Sequence, residues 1–197
     1  MTQNAQYLFE VGMLNQIPRS GFAFLGSGRQ SIAEHSFRAT HIAWLLARLA
    51  GEPVDLARLL QLILFHDLPE ARTGDFNYVN HKYDSVNEVK LYADLTRELP
   101  FGAEVVALVQ EFEARATPEA RLANDADQLE LLLMLKEQQD LGNPRAADWV
   151  PSALARLKTN AGRTLAEEIL TTPSEAWWFS DKQDRHWIDR GRAIEPK

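Results

Sequence analysis

Apolar positions recur at helical spacing from one end of the chain to the other. No stretch shows the two-residue alternation and β-branched enrichment of a half-buried strand. The pattern predicts an all-α protein. Ser31-Ile32-Ala33-Glu34 has the form of a capping box, and Ile32, Ala39, Ile42, Ala43, Leu45, Leu46 and Leu49 follow it before Gly51 and Pro53 close the helix. His35 falls in the first turn of that helix. A second helix is predicted from about Asp55 to about Asp67, because Pro69 disfavours helix in the residue before it, and this puts His66 and Asp67 in the last turn. Further helices are predicted over about 85–98, 102–115, 118–140, 151–170 and 174–190, separated by Pro100, Thr117-Pro118, Gly142-Asn143-Pro144 and Thr171-Thr172-Pro173. Residues 19–30, RSGFAFLGSGRQ, form one glycine-rich loop, without the Gly-Lys-Ser/Thr ending of a phosphate-binding loop.

Composition narrows the class. The chain has 197 residues, 45% of them hydrophobic and 25% charged, which suits one well-packed domain over 1–197 with no linker, repeat or low-complexity segment. No apolar run approaches the roughly 20 residues needed to cross a bilayer, and the start does not read as a secretory signal. With no cysteine to oxidise, a cytoplasmic location is expected. A net charge of −7 without any basic block argues against a nucleic-acid polymer as partner. A small anionic substrate stays open, since one metal ion or a few arginines reverse the potential locally.

The chemistry concentrates in LILFHDLPEARTGD, residues 62–75, where an apolar run ends in His66 and Asp67. Imidazole and carboxylate together suit a divalent metal of intermediate hardness, and a helical bundle can aim them at one point from several helices. His35 and the acidic pair Asp125 and Asp127 in NDADQLE complete a candidate constellation. Adjacent helical residues diverge by about 100°, so His66 and Asp67 converge only at a helix end or in a distorted turn. The plainer alternative is that a histidine beside an apolar run is a hydrogen-bonded core residue and an aspartate after it a cap. Periodicity leaves the choice between Asp125 and Asp127 open: one shares a stripe with Leu129 and Leu132, the other with Leu131 and Met134. His41 is read as a core or boundary residue, and Trp177, Trp178, Phe179 and Trp187 as packing on the bundle or on a partner chain.

In order along the chain, His35 in SIAEHS, then FHDLPEARTGD, then NDADQLE resemble the HD superfamily of metal-dependent phosphohydrolases. The nearest likeness is to the branch containing the bacterial 5′-deoxynucleotidase and related small HD hydrolases. It covers about residues 7–140 and leaves a C-terminal helical extension from about 145 to 197 without a counterpart. The resemblance implies a single-domain helical bundle of the HD-domain type with one divalent cation (Mn, Co, Mg, Zn or Fe) on His35, His66, Asp67 and Asp127, Asp125 being a neighbour only. It further implies Glu70 and Asp75 as catalytic acids, Arg19 as a phosphate-facing cation that contributes to catalysis, and Arg19, Ser20 and Asp75 as substrate contacts. Ser20 departs from the tryptophan that this branch carries after its arginine, which puts selectivity for deoxy sugars in question.

The implied activity is phosphate release from nucleoside or deoxynucleoside 5′-monophosphates or similar small phosphate esters, by a homodimer. Two alternatives accompany it. One is an HD-type nucleotide phosphodiesterase, or a nucleoside triphosphate or alarmone hydrolase. Five histidines are few for a two-metal centre, and the cations Arg19, Arg29, Arg72 and Lys82 are few for a polyphosphate. The other is a non-catalytic regulatory module tied together by its metal, against which Glu70 and Asp75 argue.

Overall fold

The computed structural model describes residues 3–190. Residues 1–2 and 191–197, and with them the end of the expected C-terminal extension, lie outside the described residues. The described chain runs α1 (Gln3–Met13), α2 (Gly21–Leu25), α3 (Ile32–Leu49), α4 (Leu56–Phe65), α5 (Glu70–Thr73), α6 (Tyr78–Tyr83), α7 (Glu88–Glu98), α8 (Gly102–Ala114), α9 (Pro118–Asp140), α10 (Arg145–Ala155), α11 (Asn160–Thr171), α12 (Ala176–Phe179) and α13 (Arg185–Asp189). Among these residues there is no strand, only an isolated antiparallel bridge between Pro18 and Ser31. No described helix is long and apolar enough to cross a membrane.

Local chemistry sets the helix ends. Ser31 accepts from the Glu34 N–H at 3.2 Å while the Glu34 carboxylate accepts from the Ser31 N–H at 2.7 Å, a reciprocal cap that starts α3 three residues before His35. The Ile32 and Ala33 N–H groups donate to the Ile17 and Leu14 carbonyls, so the segment after α1 is fastened to the start of α3. Thr117 caps α9 with Pro118 in its first turn, where the missing N–H costs nothing.

Helix α9 is the axis of the molecule, with α3, α4, α8, α10 and α11 packed on it. The main core joins α3 (Ala39, Ala43, Leu46), α4 (Leu59, Leu62, Ile63) and α9 (Ala123, Ala126, Leu129), all with no exposed surface. Because α9 is surrounded, it buries Asn124, Asp125, Glu130 and Gln138 along with its apolar residues. Its sequence therefore lacks a clean amphipathic stripe.

Three expectations need correction. The helix predicted over 151–170 is two, α10 and α11. The Lys158 and Thr159 N–H groups donate to the Asp125 carboxylate at 2.7 and 2.8 Å, and Thr159 caps α11, so tertiary bonds replace helical ones there. A Cβ at residue 162 would collide with that carboxylate, which is why glycine stands in the first turn of α11. The helix predicted over 174–190 is the short pair α12 and α13; Trp178, Phe179 and Trp187 pack on one another and Trp177 is 86% exposed, so these rings do not enter the core. His41 is exposed, edge-on to Phe37, which is exposed too, because α4 and α9 cover only the other side of α3.

Candidate metal centre and active site

Three helices and one turn bring the ionisable groups together. His35 comes from the first turn of α3 and Asp127 from the middle of α9. His66 is the C-cap of α4, and Asp67 follows it in a run of tight turns up to Pro69. The early end of α4 lets two consecutive side chains face one point. His35 Nε2 lies 3.3 Å from Asp127 Oδ1 and 3.6 Å from Asp67 Oδ2, and His66 Nε2 lies 3.2 Å from Asp67 Oδ2. One donor atom each from His35, His66 and Asp127 falls within 4.8 Å of the other two.

The outer hydrogen bonds orient both rings. His66 Nδ1 is 2.7 Å from the Ile63 carbonyl, which can only accept, so Nδ1 carries the proton and the Nε2 lone pair faces the cluster. His35 Nδ1 is 2.6 Å from Glu130 Oε2, with the same consequence. Glu130 is 1% exposed and held in turn by Arg38 Nε at 2.8 Å and Gln30 at 2.6 Å. His35 Nε2, His66 Nε2, Asp67 Oδ2 and Glu70 Oε2 are buried without a hydrogen-bond partner. Converging acceptors of this kind are satisfied by a cation, and a mixed nitrogen and carboxylate set fits a divalent metal.

Charge at the site follows from the same crowding. Burial and the Arg19 charge work against a protonated His35, but the carboxylates of Asp127, Glu130 and Asp67 around its ring push it up to about 9. A cation at Nε2 takes the place of that proton. Burial also opposes the charge on Asp127, which the His35 imidazole beside it nevertheless holds well below the usual carboxylate range. Glu70 is pushed up to about 9, by burial first and then by the negative charge of Asp67 and Asp75. A divalent charge among these acids reverses that balance.

Arg19 reaches the centre from the loop before α2, with Nη1 3.5 Å from Asp67 Oδ2, and its backbone N–H donates to the Gln30 carbonyl at 2.8 Å. Asp75 Oδ2 accepts from the Ser20 N–H at 2.5 Å and from Ser20 Oγ at 3.1 Å, fastening this loop to the chain after α5. Arg19, Ser20 and Asp75 line a cavity of about 840 Å³ beside the cluster, together with Phe76, Trp149 and Arg156. That volume lies within the range of small-molecule sites.

The two acids of NDADQLE separate by partner. Asp125 has no exposed surface and accepts from Lys158, Thr159 and Asn124, so it anchors the α10–α11 connection and does not reach the cluster. Sequence reasoning missed Glu130, although its place in the turn after Asp127 was a usable signal. It also missed the cations of the cavity. Arg72 is committed to Glu10 and Glu98, and Arg29 lines a separate groove, whereas Arg115 and Arg156 border the cavity itself.

Comparison with known proteins agrees with this geometry. The family model for the HD domain matches residues 11–169, and the chain belongs to that family. A 5′-deoxynucleotidase HDDC2 from Bos taurus is 28% identical, over 97% of this chain and 90% of that protein. A dATP triphosphohydrolase from Cyanophage S-2L is 39% identical, over 54% of this chain and 57% of that one. The crystal structure of a predicted metal-dependent phosphohydrolase from Magnetospirillum magnetotacticum MS-1 superposes with a TM-score of 0.68 at 29% identity, over 86% of this chain and 90% of that chain.

Proposed function

We propose that this chain is a metal-dependent phosphohydrolase that releases phosphate from nucleoside 5′-monophosphates, with His35, His66, Asp67 and Asp127 as the ligands of one divalent cation. The observation that carries the proposal is the set of partnerless acceptors, His35 Nε2, His66 Nε2 and Asp67 Oδ2, converging beside a cavity that Arg19 also lines. A divalent cation held there supplies Lewis-acid charge to a phosphoryl oxygen and to water. Arg19 neutralises the phosphate and stabilises the charge that builds on it in the transition state. Glu70, whose Oε2 is buried and unpartnered, takes the proton from the attacking water. Asp75 holds the Arg19-Ser20 loop through Ser20 and borders the cavity on the sugar side. Ser20 replaces a bulky side chain with a small hydroxyl, so ribose and deoxyribose both fit. Residues 145–190 form part of the same functional unit, and the active species is a homodimer.

A nucleoside triphosphate hydrolase is the second reading, favoured by Arg115 and Arg156 at the cavity and by the dATP triphosphohydrolase relative. A phosphate-release screen decides between them. The purified protein is loaded in turn with Mn, Co, Mg, Zn and Fe and offered nucleoside monophosphates, triphosphates and cyclic dinucleotides. Inorganic phosphate from monophosphates is the expected product. Triphosphate or pyrophosphate released from nucleoside triphosphates alone would replace the first reading with the second, and no hydrolysis with any metal would leave the regulatory module.

A further inference from the structure

Helix α10 belongs to the part of the chain on which the sequence motifs are silent, yet Trp149, Ser152, Ala153 and Arg156 line the cavity. Their spacing of three, four and seven residues places them on one helical face. That face is cationic at its Arg156 end and aromatic at its Trp149 end, where the Asp148 carboxylate also borders the cavity. Arg156 Nη1 donates to Gln128 Oε1 at 3.3 Å, and Gln128 Nε2 donates to Asp127 Oδ2 at 2.7 Å, so the cationic end adjoins the metal centre. Trp149 lies about 10 Å further along the helix axis. Its ring edge abuts Gly21, where a Cβ would stand 3.5 Å from Cζ3, and Gly21 follows Arg19 and Ser20 directly. The indole is only partly buried and borders the cavity, although its other side packs with Leu25, Met134 and Ala146.

We propose that Trp149 is the nucleobase platform of the site. A nucleoside 5′-phosphate lies along α10, its phosphate between Arg19 and Arg156 and its base against the indole. The assignment rests on the nucleotide-hydrolase function proposed above. Stacking on a single aromatic face tolerates every base and favours the larger purine surface, because every base presents a π-face. Trp149 therefore sets the preference for base-bearing substrates without touching the reacting phosphate.

The test compares the metal-loaded wild type with Trp149→Leu and Trp149→Phe on deoxyadenosine monophosphate, thymidine monophosphate and deoxyribose 5-phosphate, which has no base. Trp149→Leu is expected to raise KM for the purine nucleotide by about 5- to 150-fold, the range of base–aromatic stacking losses. It should raise KM less for thymidine monophosphate and leave kcat/KM for deoxyribose 5-phosphate unchanged. Trp149→Phe should restore most of the loss. An equal effect on substrates with and without a base would mark Trp149 as structural and overturn the proposal, as would an unchanged KM for the purine nucleotide. Should Trp149→Leu fail to fold, the same comparison is made with Trp149→Phe, whose smaller ring still confines its effect to base-bearing substrates. If the wild type hydrolyses none of the three, the function proposed above fails. Calorimetric titration with deoxyadenosine monophosphate then decides for the platform: weaker binding to Trp149→Leu than to the wild type and Trp149→Phe supports it, and equal binding to all three overturns it.

Discussion

Glu70 and Glu130 are both buried glutamates beside the cluster, and their partners assign them opposite duties. Glu70 Oε2 has no partner, while Glu130 is saturated by His35, Arg38 and Gln30. Glu70→Ala should therefore retain stoichiometric metal and lose about 10² to 10⁴ in turnover, the range for a removed general base. Metal analysis beside steady-state kinetics checks this, and loss of the metal would make Glu70 a ligand. Glu130→Ala frees the His35 ring and leaves Arg38 paired with Glu137 alone. Metal affinity should fall by about 10- to 100-fold, as for other partners that orient a ligand. Competition with a fluorescent chelator measures it, and unchanged affinity would show that the His35 ring is held by packing alone. His66 and Asp67 stand out in the sequence because polar groups abut an apolar run. Glu130 does not, because it sits in a helix that buries polar and apolar residues on several sides.

At the scale of the element, the connection between α10 and α11 turns on one carboxylate. Asp125 Oδ2 takes both the N–H and the hydroxyl of Thr159, and Oδ1 takes the Lys158 N–H. An asparagine keeps one oxygen and places an amide against donors. Asp125→Asn is thus expected to lower stability by about 1–3 kcal/mol while metal binding persists. Asp127→Asn should abolish metal retention, so that added metal no longer raises its melting temperature. Thermal melting with metal analysis separates the two, and metal loss from the Asp125 variant alone would exchange their roles. The starts of α3 and α9 were legible from Ser31 and Thr117, because a cap acts within one turn. The break at 156–159 was not, because its partner lies more than thirty residues away in the chain.

For the whole molecule, the four proposed ligands come from α3, α9 and the α4–α5 turn, so a cation held by them would tie distant segments together. At a hundred times its dissociation constant the metal should stabilise the fold by about 2.7 kcal/mol, or roughly 5 to 10 °C in Tm for a chain of this size. Melting with and without a chelator tests this, and identical curves would mean that the cluster holds no ion. Sedimentation should show twice the chain mass of 22.3 kDa; a single-chain mass at micromolar concentration would remove the homodimer from the proposal.

Helical periodicity, caps and the motif order determined the all-α class, most of the central helices and the residues from which a metal centre could be built, because each of these signals acts over a turn or two of chain. The family resemblance already favoured Asp127 over Asp125, which periodicity left open; only the tertiary structure decided that Glu130 orients His35, that Arg156 and Trp149 border the cavity, and that His41 faces outward. Each of those outcomes depends on which helix packs against which face, and packing joins residues whose separation along the chain carries no local trace.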